Sequence, residues 1–157
     1  MEKRNLPGKP LSFPERTHLA EKKGSLYFPH EADIGVEVSG KTPEEAFVRM
    51  AEATFALETD LSTVRPLQSV DISFREADME LALPTWINLL LSESAIRGFI
   101  LCRFELERQD GEWKGRALGE PWRARHPRGI EVKGATLTGL SVRRENGLWK
   151  ARLVVDV

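Results

Sequence analysis

Apolar and polar positions alternate along residues 33–39, with Ile34, Val36 and Val38 on one side of the chain. A period of two residues is typical of a β-strand that buries one face. Asp33 then opens this strand on its polar face. Residues 70–74, Val-Asp-Ile-Ser-Phe, repeat the alternation and predict a second strand.

The spacing of apolar residues becomes helical after the turn at Gly40-Lys41. Thr42 fits the N-cap of a capping box, with Pro43 at the first helical position and Glu45 reaching back to the cap. The apolar positions that follow predict a helix to about Leu57; they are Ala46, Phe47, Met50, Ala51, Thr54 and Phe55.

A second helix is predicted to begin near Asp78. It carries a run of apolar side chains from Leu81 to Leu91, which we expect to pack on a sheet. Pro84 lies inside this run, and because proline lacks an N–H donor it should kink or restart the helix.

The remainder of the chain is typical of β-structure. Strands are predicted over residues 99–109, 112–118, 130–144 and 149–157, with a loop at 119–128. Asp110-Gly111 and Asn146-Gly147 predict tight hairpin turns, because the residues of such turns take positive φ. The order of elements predicts one α+β domain, in which two helices pack on a largely antiparallel sheet or sandwich.

Composition limits the classes of function. The chain has 157 residues and a net charge of −1, which disfavours a protein built to hold nucleic acid through its overall field. No apolar run is long enough for a membrane span, and no secretory signal is evident, so we expect a cytosolic protein. Residues 1–24 are predicted to form a flexible basic extension before a domain at 25–157. Cys102 is expected to be a buried, reduced thiol.

The main chemical signal is a set of carboxylates at strand ends. Asp33 begins one strand and Asp156 ends another, and Val157 adds a terminal carboxylate. The two aspartates meet at one sheet edge if their strands are antiparallel neighbours. Convergent carboxylates repel, and oxygen ligands suit a hard cation. Solvation of two separate strand ends is the alternative.

Several motifs in a fixed order resemble the archease family. They are His30-Glu31-Ala32-Asp33-Ile34-Gly35, Gly40 to Phe47, Thr59-Asp60, Gly119-Glu120-Pro121, His126-Pro127, Glu131-Val132-Lys133 and Leu153 to Asp156. The resemblance covers roughly residues 26–157.

This resemblance implies a non-enzymatic accessory protein of an RtcB-type RNA ligase, which promotes guanylylation and multiple turnover of the ligase in tRNA splicing or RNA repair. It also implies one divalent cation at Asp33, Asp156 and Val157. Calcium is the first choice, with magnesium or manganese as alternatives. The expected partner is the ligase, with RNA contacted indirectly and no membrane.

Three further residues are candidates for partner contact or ligase activation: His30, His126 and Lys133. A structural histidine, or a lysine that is simply solvated, is the alternative reading for each. His126 lies in a loop that holds Trp122 and three arginines, a composition suited to phosphate or an acidic surface. Thr138 stands where many family members carry a histidine, which weakens any transfer of acid–base chemistry.

Two other classes compete with this interpretation. A metal-dependent hydrolase is disfavoured, since the chain has no recognisable catalytic motif. A small RNA-binding or chaperone-like module without a ligase partner remains open, although the near-neutral charge disfavours strong autonomous RNA binding. The sequence does not specify the oligomeric state.

Overall fold

Two α-helices, one short 3-10 helix (Leu61–Thr63) and eight strands form the part of the chain described by this computed structural model, residues 25–30 and 33–157. The side chains of Pro29 and His30 are not described. The predicted extension, residues 1–24, lies outside the described residues, as does Glu31-Ala32. Within the described residues, no helix has the length and apolar character needed to cross a membrane.

The strands form two antiparallel sheets. The first sheet contains β1 (Leu26–His30), β2 (Asp33–Gly40), β8 (Leu148–Asp156), β6 (Gly134–Ala135) and β7 (Ser141–Glu145). In it β1 pairs with β2 and β2 with β8, while β6 and β7 both pair with β8. The second sheet has the order β3 (Gln68–Arg75), β5 (Glu112–Pro121), β4 (Phe99–Gln109). The predicted α+β class with antiparallel pairing is therefore confirmed.

Helix α1 (Pro43–Ala56) joins the two sheets, because it packs against β2 and β8 of the first and β4 of the second. Its predicted start is confirmed: the Glu45 N–H donates to Thr42 Oγ1 at 3.0 Å. The Glu45 carboxylate reaches back one residue further than expected and accepts from the Lys41 N–H at 2.5 Å. The predicted cap therefore serves two donors at the helix start.

Helix α2 (Met79–Arg97) begins where expected, with Asp78 as N-cap accepting from the N–H groups of Glu80 and Leu81. It continues through Pro84 as one element, so the predicted restart is not needed. Because Pro84 has no N–H, the helix lacks one hydrogen bond, to the Glu80 carbonyl in its first turns. The remaining turns are stabilised by the burial of one helix face.

Buried aromatic side chains link the helices to the second sheet. The Trp113 ring stacks on Phe47 of α1 with a centroid separation of 5.0 Å and on Phe74 of β3 at 5.8 Å. Trp86 of α2 is fully buried, and its indole N–H donates to the Phe47 carbonyl at 3.0 Å. The indole N–H groups of Trp86 and Trp113 therefore both have a hydrogen-bond acceptor within the core.

Three predictions from local pattern need correction. Strand β5 extends to Pro121, three residues into the segment predicted as a loop. The segment 130–144, predicted as a strand, pairs only at β6 and β7, and between them Gly139 adopts a φ of 64°. Cys102 is half-buried, beside an irregularity between Leu101 and Arg103 in the pairing of β4.

Both predicted hairpin turns are confirmed, since both residues of each have positive φ.

Replacing Thr42 with alanine removes the side-chain acceptor at the start of α1. We expect a loss of about 1 kcal/mol in the free energy of unfolding, the usual cost of deleting such a cap. Urea unfolding monitored by tryptophan fluorescence measures it. Ser92→Ala, at an exposed position within α2, is the control and should cause no loss. Equal effects of the two substitutions would contradict the role assigned to Thr42.

Candidate functional site

The ends of β2 and β8 form an acidic edge, made up of Asp33, Asp156 and Val157. Strand β2 pairs with β8 in a register that sets Ile34 opposite Val155. The paired residues end at Ile34 and Val155, so Asp33 and Asp156 are the next residues along two neighbouring antiparallel strands. Residues at such positions lie near one another at a sheet edge. The strand pairing that the sequence prediction required is therefore present.

This edge lies on the polar face of the first sheet. The opposite face carries Val36 and Leu153, which are paired across the strands and fully buried. Asp33 is half-buried and Asp156 is exposed. The Phe28 ring shields part of this polar face, because it lies over Gly35. The Arg152 guanidinium lies 4.0 Å from the centroid of the same ring.

Strand β6 holds the segment next to the acidic edge. The Lys133 N–H donates to the Asp156 carbonyl at 2.7 Å, and Gly134 pairs with Asp156. Asn88 of α2 fixes the next residue, accepting from the Ala135 N–H at 2.8 Å and donating to its carbonyl at 3.3 Å. Lys133 is exposed, so its ammonium group is available at this edge.

The donors at this edge are all oxygens, which suits a hard divalent cation. Two side-chain carboxylates supply only part of a coordination sphere, and Val157 can add main-chain oxygen. Among residues 25–30 and 33–157, no group of three or more His, Cys, Asp or Glu side chains is placed to hold a metal. A cation here would therefore need main-chain oxygens or water besides Asp33 and Asp156.

The candidate histidines occupy different places. The backbone of His30 lies in β1 opposite Asp33, and its side chain is outside the described part of the structure. His126 is only 3% exposed, so its ring does not reach the surface. Its Nε2 lies 2.9 Å from Glu120 Oε2, and its Nδ1 accepts from the Arg123 N–H at 2.9 Å. Nε2 consequently carries the proton that bonds Glu120, and His126 has a positioning role.

Glu120 anchors the segment we call the arginine loop, residues 122–128. Its Oε2 accepts from the Arg65 N–H at 2.8 Å and from the Arg125 guanidinium, and its Oε1 lies 3.9 Å from Arg123 Nε. Burial by itself disfavours the charged carboxylate, but the bonds from Arg65, Arg125 and His126 outweigh it and lower the pKa of Glu120 to about 2. The loop is thus tied to β5 by an ionised carboxylate.

Trp122 and Arg128 form the other side of this loop. The Arg128 guanidinium lies 3.6 Å from the centroid of the Trp122 ring, and the His126 ring meets Trp122 edge-on at 6.0 Å. Arg128 is exposed, as are Arg123 and Arg125. Arg123 and Arg125 therefore lie against the buried Glu120 carboxylate and Arg128 lies on Trp122, and three exposed cationic groups on one loop favour anionic partners.

Glu58 is a functional candidate that the sequence reasoning missed. It follows α1, and its Oε2 accepts from the Val132 N–H at 3.0 Å. Burial raises the pKa of Glu58, with a smaller contribution from Glu131. Glu58 directly precedes the Thr59-Asp60 motif, which could have drawn attention to it. Its hydrogen-bond partner Val132 lies more than seventy residues away in the chain, so local sequence pattern did not indicate the contact.

Comparison with known proteins gives consistent matches. Residues 26–157 match the model of the Archease protein family (MTH1598/TM1083). The archease of Methanopyrus kandleri is 38% identical over 134 residues, covering 82% of this chain and 95% of that protein. The archease of Aeropyrum pernix is 33% identical over 140 residues, covering 85% and 97%.

Two solved structures share the fold. Protein 1598 of Methanobacterium thermoautotrophicum has a TM-score of 0.75 and 29% identity, and the match covers 86% of this chain and 99% of that one. An archease of Thermotoga maritima, described as a possible chaperone, has a TM-score of 0.61 and 22% identity, with coverage of 83% and 94%. The second likeness supports the fold alone.

Glu120 and Glu58 should affect the pH dependence of stability in opposite directions. The lowered pKa of Glu120 means that its stabilisation is present above pH 4.5 and is lost as the pH falls towards about 2. Glu120→Gln should therefore lower the urea midpoint at pH 7, with a gap from the wild type that narrows in acid.

Glu58→Gln is the matched control in the same series of urea titrations. The raised pKa of Glu58 means that its ionised form costs stability at pH 7 and that this cost vanishes below pH 4.5. The amide can still accept from Val132, so this variant should be more stable than the wild type at neutral pH. The same sign of effect for both variants would contradict the two assignments.

Proposed function

Because the chain belongs to the archease family, we propose that it is a metal-binding accessory protein of an RtcB-type RNA ligase in tRNA splicing or RNA repair. In this role it promotes guanylylation and repeated turnover of the ligase and is not itself the catalyst. We place this activity in the cytosol. The observation that supports the proposal is the antiparallel pairing of β2 with β8 up to Ile34 and Val155, which leaves Asp33 and Asp156 as the next residues along the two strands.

The acidic edge is the proposed cation site. Asp33 and Asp156 supply side-chain oxygens and Val157 supplies main-chain oxygen, with calcium preferred and magnesium or manganese as alternatives. Calcium accepts six to eight oxygen ligands in a flexible geometry, so carbonyls and water complete the shell readily. The bound cation offsets the repulsion between two carboxylates that the sheet forces together.

The surface around the acidic edge is the proposed contact with the ligase. Lys133 is exposed and its main chain is bonded to Asp156, so a partner that touches the cation also meets this ammonium group. His30 is paired with Asp33 through the backbone and joins the same edge. His126 contributes indirectly, by holding the arginine loop. Thr138 supplies a hydroxyl in place of an imidazole, so no proton transfer is assigned to it.

Metal binding should depend on both aspartates. Asp33→Asn and Asp156→Asn should each abolish or strongly weaken calcium binding in calorimetric titrations, with Asp71→Asn on the second sheet as the control. In chelator each variant should be at least as stable as the wild type, because an opposed pair of like charges is removed, a gain of about 0.2–1 kcal/mol. Calcium should then raise the melting temperature of the wild type only. Unchanged calcium affinity in both variants would overturn the site.

The ligase role is tested by reconstitution. An RtcB-type ligase from the same organism is incubated with GTP, metal ion and RNA carrying a 3′-phosphate, with and without this protein. We expect multiple turnovers only when the protein is present, and single turnover with Asp156→Asn. Glu107→Gln, at an exposed position on β4, is the control and should retain activation. Equal ligation with and without the protein would exclude the accessory role and favour a ligase-independent module.

A further inference from the structure

A cavity of about 360 Å³ lies between the C-terminal end of α2 and the segment 128–132. This volume falls in the range of small-molecule sites. Apolar side chains of Leu91, Ile130 and Val132 line part of it, and the polar contributions include Glu58, Trp122 and Arg128. The proposed cation site does not use this cavity.

The walls of the cavity are held by hydrogen bonds between distant segments. The Gly129 N–H donates to the Glu58 carbonyl and the Ile130 N–H to the Leu57 carbonyl, each at 2.8 Å. The Thr59 hydroxyl donates to the Pro127 carbonyl at 2.6 Å. A Cβ atom at Gly129 would come within 2.4 Å of the Leu57 carbonyl oxygen, so the close approach requires glycine. The cavity is therefore preformed.

Two acidic residues line this cavity, the half-buried Glu58 and the exposed Glu131, and the Glu58 carboxylate is the one held in place by a backbone donor. Its Oε2 accepts one bond, from the Val132 N–H. Among the described residues no donor is assigned to Oε1, and a carboxylate can accept about four hydrogen bonds. A partly desolvated carboxylate with spare acceptor capacity favours a ligand that brings N–H donors.

The nearby cations argue against a cationic ligand. Arg128 already lies over the face of the Trp122 ring, where a bound amine would otherwise make its cation–π contact. Arg123 and Arg125 add positive charge on the same loop, with exposed fractions of 54% and 37% for their side chains. These three groups suit phosphate, and a guanidinium plane also provides a surface on which a nucleobase stacks.

We propose that this cavity binds the guanine base of a nucleotide, with its phosphate on the arginine loop. Guanine is chosen because its N1–H and N2 amino group are adjacent donors on one edge, which a single carboxylate accepts together. Adenine and cytosine present one amino group on the equivalent edge, and uracil presents one imide N–H between two carbonyls that Glu58 would repel. The source is either a free nucleotide or a single-stranded RNA.

The test measures binding to the purified full chain without any ligase, so its outcome is independent of the proposed function. Titration calorimetry compares GMP, IMP, AMP, CMP and UMP. We expect GMP to bind at least tenfold more tightly than the other four, with IMP weakened because it lacks the N2 amino group. GMP should also bind more tightly than guanosine, and this advantage should fall as salt is raised.

Two variants assign the contacts. Glu58→Gln should weaken GMP binding roughly ten- to a hundredfold, the range for a hydrogen bond to a charged group. It should fold normally, because removing the charge of the half-buried Glu58 side chain should stabilise the fold at pH 7. Arg128→Gln should reduce the advantage of GMP over guanosine. The controls are Glu107→Gln and Arg144→Gln, which replace exposed residues outside the cavity lining and should leave affinity unchanged.

A further pair of ligands distinguishes the two sources. A single-stranded tetranucleotide with one guanine among uracils is compared with GMP in the same buffer. Tighter binding of the oligonucleotide assigns the site to RNA, and equal or weaker binding assigns it to a free nucleotide. Equal affinity for all five nucleotides, unchanged affinity in Glu58→Gln, or no GMP binding at millimolar concentration would each overturn the proposal.

Discussion

The pairing of β2 with β8 is the interaction on which the site depends. It joins strands from opposite ends of the described domain, and the entropy of closing such a long loop must be offset by burial. Val36 and Leu153 supply that burial as a fully buried cross-strand pair. A slip of one residue would expose this face and separate the aspartates. Hydrophobic register therefore determines whether Asp33 and Asp156 can lie close enough to share the proposed cation.

The buried Glu120 and the half-buried Glu58 have pKa values shifted in opposite directions, and their roles differ accordingly. Glu120 accepts from three donors, so it stays ionised and holds the arginine loop against β5. Glu58 has one assigned donor and a pKa raised by burial, so part of its acceptor capacity is unused. The bonds of Glu120 make the loop rigid. The ionised form of Glu58 is destabilising at neutral pH, and the ligand proposed for the cavity would reduce this cost; perturbed carboxylates of this kind are typical of binding sites.

The features that could be predicted from sequence depend on residues close together in the chain. The Thr42 cap, the Asp78 cap and the Asn146-Gly147 turn all involve neighbours within a few positions. The extension of β5 through Glu120 could not be predicted in this way, because it depends on pairing with Gln68 of β3 and with Phe99 and Ile100 of β4. For the two aspartates, alternation assigned each of them to a face of its strand, and the antiparallel pairing of the two strands on which the prediction depended is present.

The acidic edge and the cavity share one stretch of backbone. The Val132 N–H bonds the Glu58 carboxylate, and the next N–H, that of Lys133, bonds the Asp156 carbonyl. The two N–H groups belong to consecutive peptide planes that meet at the Val132 Cα, so a shift at Val132 also moves Lys133. Asn88 limits such movement, because its side chain hydrogen-bonds both the N–H and the carbonyl of Ala135. The geometry of the proposed cation site therefore depends on the same short segment that forms the cavity wall, although the ligands proposed for the two sites differ in chemistry.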